Sequence, residues 1–172
     1  MSDFALTKKL IRVSRTTKSC FVLPSDTNTH GTLFGGKLMA YIDDIAAITA
    51  SKHARSAVVT ASADSIDFLS PIREGEVVSL ESYVSWTHNT SMEVFVKIFA
   101  ENVVTGKKKV CATSFLTFVA LDEESKPSKV PEAIPETEEE KFVYDGGYER
   151  MKARKARRKH SQKLASEFGS FS

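Results

Sequence analysis

The chain has 172 residues, 41% of them hydrophobic and 27% charged, with a formal net charge of +2. That length suits one domain of roughly 120 residues plus a tail, enough to bury a core, and the balanced charge excludes a bulk field for nucleic acid or membrane. No stretch approaches the roughly 20 apolar residues of a membrane span, and the opening MSDFALTKKLIR does not read as a secretory signal, so the cytoplasm is the expected location.

Residues 1–11 read as a short leader, frayed or helical. Residues 12–23, RVSRTTKSCFVL, are rich in Ser, Thr and Val with no helical period, and predict a strand that stops at the turn formers Pro24, Ser25, Asp26 and Asn28. Gly31, Gly35 and Gly36 then break any regular pattern and permit positive φ or close approach. From Lys37 the register is helical: Leu38, Ile42, Ile45 and Thr49 form one stripe, which Met39, Ala46 and Ala50 widen. So apolar a helix is expected to be buried, inside a curved sheet. It ends near His53, Ala54 and Arg55, where basic groups suit the negative end of the helix dipole.

Asp43 is the anomaly of this helix. Its neighbours one and two turns away are Gly36, Met39, Ala40, Ala46, Ala47 and Ala50, and an ionised carboxylate there needs a partner, a hydrogen bond or a wet cleft. Two readings stand: a carboxylate bonded to nearby backbone, or a general base or nucleophile in a partly dry site. Asp44 lies about 100° further round and reads as an ordinary solvent-side acid.

Residues 57–68 alternate after Thr60, with Ala61, Ala63, Ser65 and Asp67 on one face and Ser62, Asp64, Ile66 and Phe68 on the other. A loop around Pro71 and Gly75 leads to strands at 76–86, 92–102 and 110–121, joined by the THNTS turn and a turn at Gly106. Strand, helix and four strands predict an α+β meander with the helix across one antiparallel sheet. Cys20 and Cys111 lie in apolar strand-like surroundings without a pairing pattern and read as small buried residues of a reduced compartment.

The character changes after Leu121, so the domain is expected to span 1–121 and a charged linker and helical tail 122–172. Residues 122–140 carry three prolines and end in Glu138, Glu139 and Glu140; residues 150–163 hold Arg150, Lys152, Arg154, Lys155, Arg157, Arg158, Lys159 and Lys163 and no acid. This tail reads as a solvated helix balancing the acidic run, and without aromatic interleaving no nucleic-acid partner is expected. His30, His53, His88 and His160 show no metal-ligand spacing, so no metal is expected.

Four stretches together carry a resemblance: LPSDTNTHGTLFGGKLMAYIDDIAA, VVTASADSIDFLSPIREGEVV, THNTSMEVFVKIFAENVVTGKKK and VPEAIPETEEEKFVYDGGYERMKARK. They closely resemble the cytosolic acyl-CoA thioesterases (acyl-CoA hydrolases) of the hotdog fold, over most of residues 12–158. The resemblance implies a five-stranded antiparallel sheet wrapped around the long central helix, edge-to-edge homodimers assembled into trimers of dimers (hexamers), and hydrolysis of fatty acyl-CoA to fatty acid and CoA. It implies no cofactor, since CoA belongs to the substrate and product.

The family's catalytic pair, an asparagine in the turn and an acid in the first half of the helix, falls on Asn28 and Asp43, with Asp43 facing the Asn28 of a partner subunit. Backbone N–H groups at Gly35 and Gly36, at the positive helix end, suit the developing oxyanion. The carboxylate could deprotonate water or attack directly, and the Asn28 amide would orient water or the thioester carbonyl, against a plain turn-stabilising role. Phe34 stands where many relatives have histidine, which implies a difference in substrate preference or rate rather than lost chemistry. Thr60, Ser62, Arg73, His88, Asn89, Lys107, Lys108 and Lys109 complete the candidate substrate contacts, the cations as partners for CoA phosphates and His88 in a turn that frames the CoA site. The rival reading is a non-catalytic acyl-CoA-binding sensor or interaction module, for which a damaged pair would be diagnostic. A hotdog dehydratase would want a histidine in a different context from His30.

Overall fold

The structure, a computed structural model, describes residues 7–169; the expected leader conformation of residues 1–6 lies outside it. Ten elements follow in order: β1 (Lys8–Leu10), β2 (Thr16–Phe21), α1 (Gly35–Ala54), β3 (Ala57–Phe68), β4 (Val77–Thr87), β5 (Ser91–Glu101), β6 (Lys108–Leu121), β7 (Glu132–Ile134), α2 (Glu138–Asp145) and α3 (Gly147–Phe168). Five strands form one antiparallel sheet in the order β2-β4-β5-β6-β3, so α1 carries the chain from one sheet edge to the other.

The two central strands alternate bulky β-branched residues towards α1, and Val78, Leu80, Val84, Val94, Val96 and Ile98 are all fully buried. Against them pack Ile42, Ile45, Ala46 and Ala50 of α1, none more than 1% exposed. Each isoleucine buried this way contributes roughly 1.5–3 kcal/mol of apolar transfer. The stripe is not wholly apolar: Thr49 of α1 and Ser82 of β4 share a buried hydroxyl hydrogen bond that fixes the helix against the sheet. The helix is not enclosed all round in a single chain, because Met39 and Ile48 remain 45% exposed along its other side.

The strand at residues 57–68 departs from plain alternation. Its register against β6 slips between Thr60 and Ser62 and again between Ala63 and Ser65, leaving Ala61 and Asp64 as extra, bulged residues. Residues paired across a ladder share a face. Thr60, paired with the buried Phe118, therefore faces α1, whereas Ser62, paired with Thr117, faces outward. The expectation that Ser62 and Asp64 share a face with Ile66 and Phe68 is overturned for this reason: each bulge flips the sense of alternation once.

The segment after Leu121 also differs from a solvated tail. β7 pairs in parallel with β1, burying Ala133, and Thr137 caps α2 in a capping box with Glu140. The Glu140 carboxyl is 1% exposed and pairs with Arg15 at 2.8 Å. Burial raises its pKa, but bonds from the Glu136 N–H, the Arg15 side chain and the Thr137 N–H outweigh that and hold it below the usual range. The first half of α3 then docks on the outer sheet face. Met151 is buried, Gly147 lies against Trp86, and the Arg150 guanidinium binds the carboxylate of Glu93, 1% exposed, through two bonds of 2.8 and 2.9 Å.

Candidate active site

The turn at 27–33 is built by one side chain. The Asn28 carboxamide oxygen accepts from the His30 N–H at 2.9 Å and the Thr32 N–H at 3.3 Å, and its amide nitrogen donates to the Thr32 hydroxyl at 3.0 Å. Gly31 takes φ +70°, which closes the turn. The turn-stabilising role expected of Asn28 is thus present, and it also locks the carboxamide orientation while leaving one amide hydrogen uncommitted. The Leu33 N–H donates to the Ile72 carbonyl, and Thr32 bridges Arg73, so the loop containing Arg73 lies directly beside the turn.

Helix α1 starts immediately after. Phe34 is its N-cap and caps nothing with its side chain, and the first intrahelical bond is donated by Leu38 to the Phe34 carbonyl. The N–H groups of Gly35, Gly36 and Lys37 therefore stand at the helix start without a capping side chain, as an anion-binding terminus requires. A Cβ at Gly36 would come within 2.6 Å of the exposed Phe34 ring, which would have to turn aside. Beside this start lies a cavity of about 400 Å³, walled by Leu33, Leu38, Phe68, Leu69 and Ile72 and edged by Asn28 and Gly35. Cys111, a buried free thiol, completes the wall.

Asp43 lies elsewhere. It is exposed in the single chain, and its Oδ1 accepts from the Thr60 hydroxyl at 3.0 Å. Thr60 belongs to the edge strand β3, so this bond joins the open side of α1 to the open edge of the sheet. Eight residues of helix separate Asp43 from Gly35, about 12 Å at 1.5 Å per residue, and neither Asp43 nor Thr60 lines the cavity. Asp44 is held apart in an exposed pair with Lys18 at 2.9 Å.

The remaining candidates separate further. Ser62 and His88 meet on the outer sheet face, in a second, smaller cavity. Asn89 borders a neighbouring cleft with Trp86 and Lys129. Lys107, Lys108 and Lys109 sit exposed on the β5–β6 hairpin, with Lys108 paired to Glu101 at 3.4 Å. Phe68, Leu69 and Cys111 in the first cavity, and Arg154, Lys155 and Arg158 in the second, are not among the site residues that the sequence points to. For the arginines a signal exists: Arg150, Arg154 and Arg158 recur every fourth residue, one face of a helix.

Comparison with known proteins decides the family. Residues 30–107 match the model of the Thioesterase superfamily. The uncharacterized acyl-CoA thioester hydrolase YkhA of Bacillus subtilis (strain 168) is 53% identical over 161 residues, covering 94% of each chain. The chain belongs to the acyl-CoA thioester hydrolases of this hotdog superfamily. An acyl-CoA hydrolase of Staphylococcus aureus, solved with butyryl coenzyme A, coenzyme A and coenzyme A disulfide, superposes with a TM-score of 0.91 at 47% identity, covering 95% of this chain and 99% of that one. The same enzyme has been solved as Asn28→Ala, Asp43→Ala and Thr60→Ala mutants. An apo-hexameric acyl-CoA thioesterase superposes with a TM-score of 0.85 at 51% identity, covering 87% of this chain and 96% of that one. The five-stranded antiparallel sheet around a long central helix is the hotdog architecture that the sequence resemblance implied.

Proposed function

We propose that this acyl-CoA thioester hydrolase cleaves fatty acyl-CoA at a site shared between two subunits, with Asn28 and the α1 N-terminus of one chain facing Asp43 and Thr60 of another. The observation that carries this reading is the separation within one chain. The orienting amide and oxyanion donors lie at the start of α1, the carboxylate is about 12 Å along it, and the carboxylate is exposed beside an unpaired sheet edge. A second copy docked along β3 covers Met39, Ile48 and Val59, apolar residues that are 45–46% exposed, and brings its own turn towards Asp43. The hexameric neighbour supports closure of such dimers into a trimer of dimers.

In this arrangement the thioester oxygen sits at the Gly35 and Gly36 N–H groups and the first acyl carbons lie against Leu33, Leu38 and Phe68. Thr60 occupies one oxygen of Asp43 and leaves the other to take a proton from water as that water attacks the carbonyl carbon. The tetrahedral oxyanion is stabilised by the helix terminus; losing one such donor costs on the order of a hundred- to a thousandfold in rate. The carbon–sulfur bond then breaks, CoA leaves as thiol with the proton held by Asp43, and the free acid remains. The CoA-linked roles of Arg73, Asn89 and Lys107 to Lys109 stay surface contacts in this reading. The Asn28, Asp43 and Thr60 numbers of the mutated Staphylococcus aureus enzyme coincide with residues of the same type here, which supports the assignment. A non-catalytic sensor is disfavoured because both members of the pair are intact.

The site needs no cofactor in this scheme, and no group of three or more metal-binding side chains occurs among the described residues. No described helix is long and apolar enough to cross a membrane, and the two unpaired cysteines fit the cytoplasm as workplace. The test is complementation. Asp43→Ala and Asn28→Ala homodimers are each expected to release almost no CoA from an acyl-CoA panel. Co-refolded in equal amounts, half the dimers are mixed and each holds one intact site, so activity returns to roughly a quarter of the parent's. No recovery from a verified mixed dimer would put both groups in one chain's site and refute the shared arrangement.

A further inference from the structure

The turn at 27–33 is closed by main chain and does not need the hydroxyl of Thr32. The Asn28 N–H donates to the Thr32 carbonyl at 2.9 Å, and the Gly31 N–H to the Asn28 carbonyl at 3.1 Å. The turn is tied to the loop beside it in the same way, by the Leu33 N–H on the Ile72 carbonyl at 2.7 Å and the Glu74 N–H on the Gly31 carbonyl at 3.1 Å. Thr32 is half-buried, and with Asn28 it lines the cavity beside the start of α1. On a backbone fixed from both sides, a β-branched side chain has few χ1 choices, so its hydroxyl has a set position.

That hydroxyl engages both ends of the Asn28 carboxamide. Oγ1 lies 3.0 Å from Nδ2, from which it accepts, and 3.2 Å from Oδ1, to which it donates. A group bonded to both atoms lies on the oxygen's side of the amide nitrogen, so it takes the hydrogen cis to Oδ1 and leaves the trans hydrogen free. The His30 and Thr32 N–H groups can only donate, which identifies the atom facing them as the oxygen. Oδ1 thus accepts three bonds, and Thr32 is the one partner of Nδ2 among the described residues. Linked hydrogen bonds polarise one another, and charge drawn onto the oxygen makes the free N–H a stronger donor.

We propose that Thr32 is a positioning residue for hydrolysis: its hydroxyl selects which Asn28 N–H meets the water or the thioester carbonyl and strengthens it as a donor. The proposal rests on the reading of Asn28 as the orienting amide, and adds the group that orients the amide itself. Thr32 acts through Asn28, so its effect belongs to the alignment of the attacking water and falls on kcat rather than on KM.

The experiment compares Thr32→Val, which keeps the shape and loses the hydroxyl, with Thr32→Ser, which keeps the hydroxyl. Free-thiol release from acyl-CoA gives kcat and KM, while size-exclusion chromatography and thermal unfolding follow assembly and fold. Thr32→Val is expected to lower kcat by on the order of tenfold, the effect of one hydrogen bond, with KM within about twofold of the parent's. Thr32→Ser should recover most of that loss. In Thr32→Val/Asn28→Ala the residual rate should equal that of Asn28→Ala alone, since no amide is left to position. A Thr32→Val enzyme with the parent's kcat, a loss that serine does not restore, or a further loss in the Asn28→Ala background overturns the positioning role and leaves Asn28's own role standing. Failure of Thr32→Val to assemble where Thr32→Ser assembles would make the hydroxyl structural, and overturns it too. Parent-like kcat in Asn28→Ala would instead refute the reading of the site, and this proposal with it.

Discussion

The most exacting stability test concerns Arg150. Its guanidinium makes two bonds to the 1% exposed carboxylate of Glu93 and lies 4.3 Å from the centroid of the Phe115 ring. Breaking a buried pair by removing one partner costs about 3–5 kcal/mol, because the other charge is left stranded. Two features reduce that here. The Arg150 side chain is itself 29% exposed, and Glu93 keeps the Ser85 hydroxyl at 2.8 Å and Arg154 at 4.0 Å. A cost of about 2–3 kcal/mol remains, to which the lost cation–π contact adds about 0.5–1 kcal/mol. For Arg150→Ala a Tm fall of roughly 5–16 °C follows, at about 2–4 °C per kcal/mol for a chain of this size. Thermal unfolding monitored by circular dichroism reads it directly. Lys152→Ala, which removes an exposed pair to Glu149 and an exposed contact with the Tyr148 ring, serves as the control and should leave Tm nearly where it was. Replacing both Glu93 and Arg150 by leucine should recover most of the loss, since the penalty belongs to the unpaired charge. An Arg150→Ala protein melting within about 1 °C of the parent would show that α3 is not held to the sheet by this pair.

Two further outcomes follow from buried groups. His53 is fully buried, its Nε2–H donates to the Pro131 carbonyl at 2.8 Å, and its Nδ1 is buried without a partner. Burial therefore holds its pKa below the ordinary 6.5, with nearby Lys9 acting the same way and the Pro131 bond opposing. The unfolded chain then binds more protons than the native one below pH 6.5, so this stability is complete above that pH and declines as pH falls. Glu140, also depressed, contributes stability that is fully present above its ordinary 4.5 and is lost only below it, outside that range. Urea unfolding between pH 7.5 and 5.5 should show a decline that is flatter in His53→Gln, and equal slopes in the two proteins would contradict the account. Gly147→Ala places a Cβ within 2.3 Å of the Trp86 ring, so α3 must shift or the ring must turn. A loss of about 1–3 kcal/mol is expected by chemical denaturation, and an unchanged midpoint would mean the helix start is not seated on Trp86.

What could be read from the chain, and what could not, divides along a physical line. The central helix and five strands were legible because burial on one face imposes a period: Leu38, Ile42, Ile45 and Thr49 recur at helical spacing, and residues 92–102 alternate. The bulges in β3 were not, since Ala61 and Asp64 are ordinary residues whose extra place in the ladder is set by β6 opposite. That is why Ser62 was expected on the same face as Phe68. The docking of α3 escaped for a related reason. Its anchors are arginines, which in sequence are indistinguishable from solvated charges until the acids they meet, the buried Glu93 and the partly buried Asp64, are found in strands far away. Glu93 itself alternates with apolar residues on the face that reads as solvent-exposed, and only the helix laid over that face makes it interior. Asp43 shows the opposite case. As a carboxylate among alanines it was conspicuous at once, yet the structure gives it a single hydroxyl partner and an open side. In the proposed shared site, a second chain laid along the open edge of β3 gives this carboxylate the partly dry surroundings that catalytic acids have.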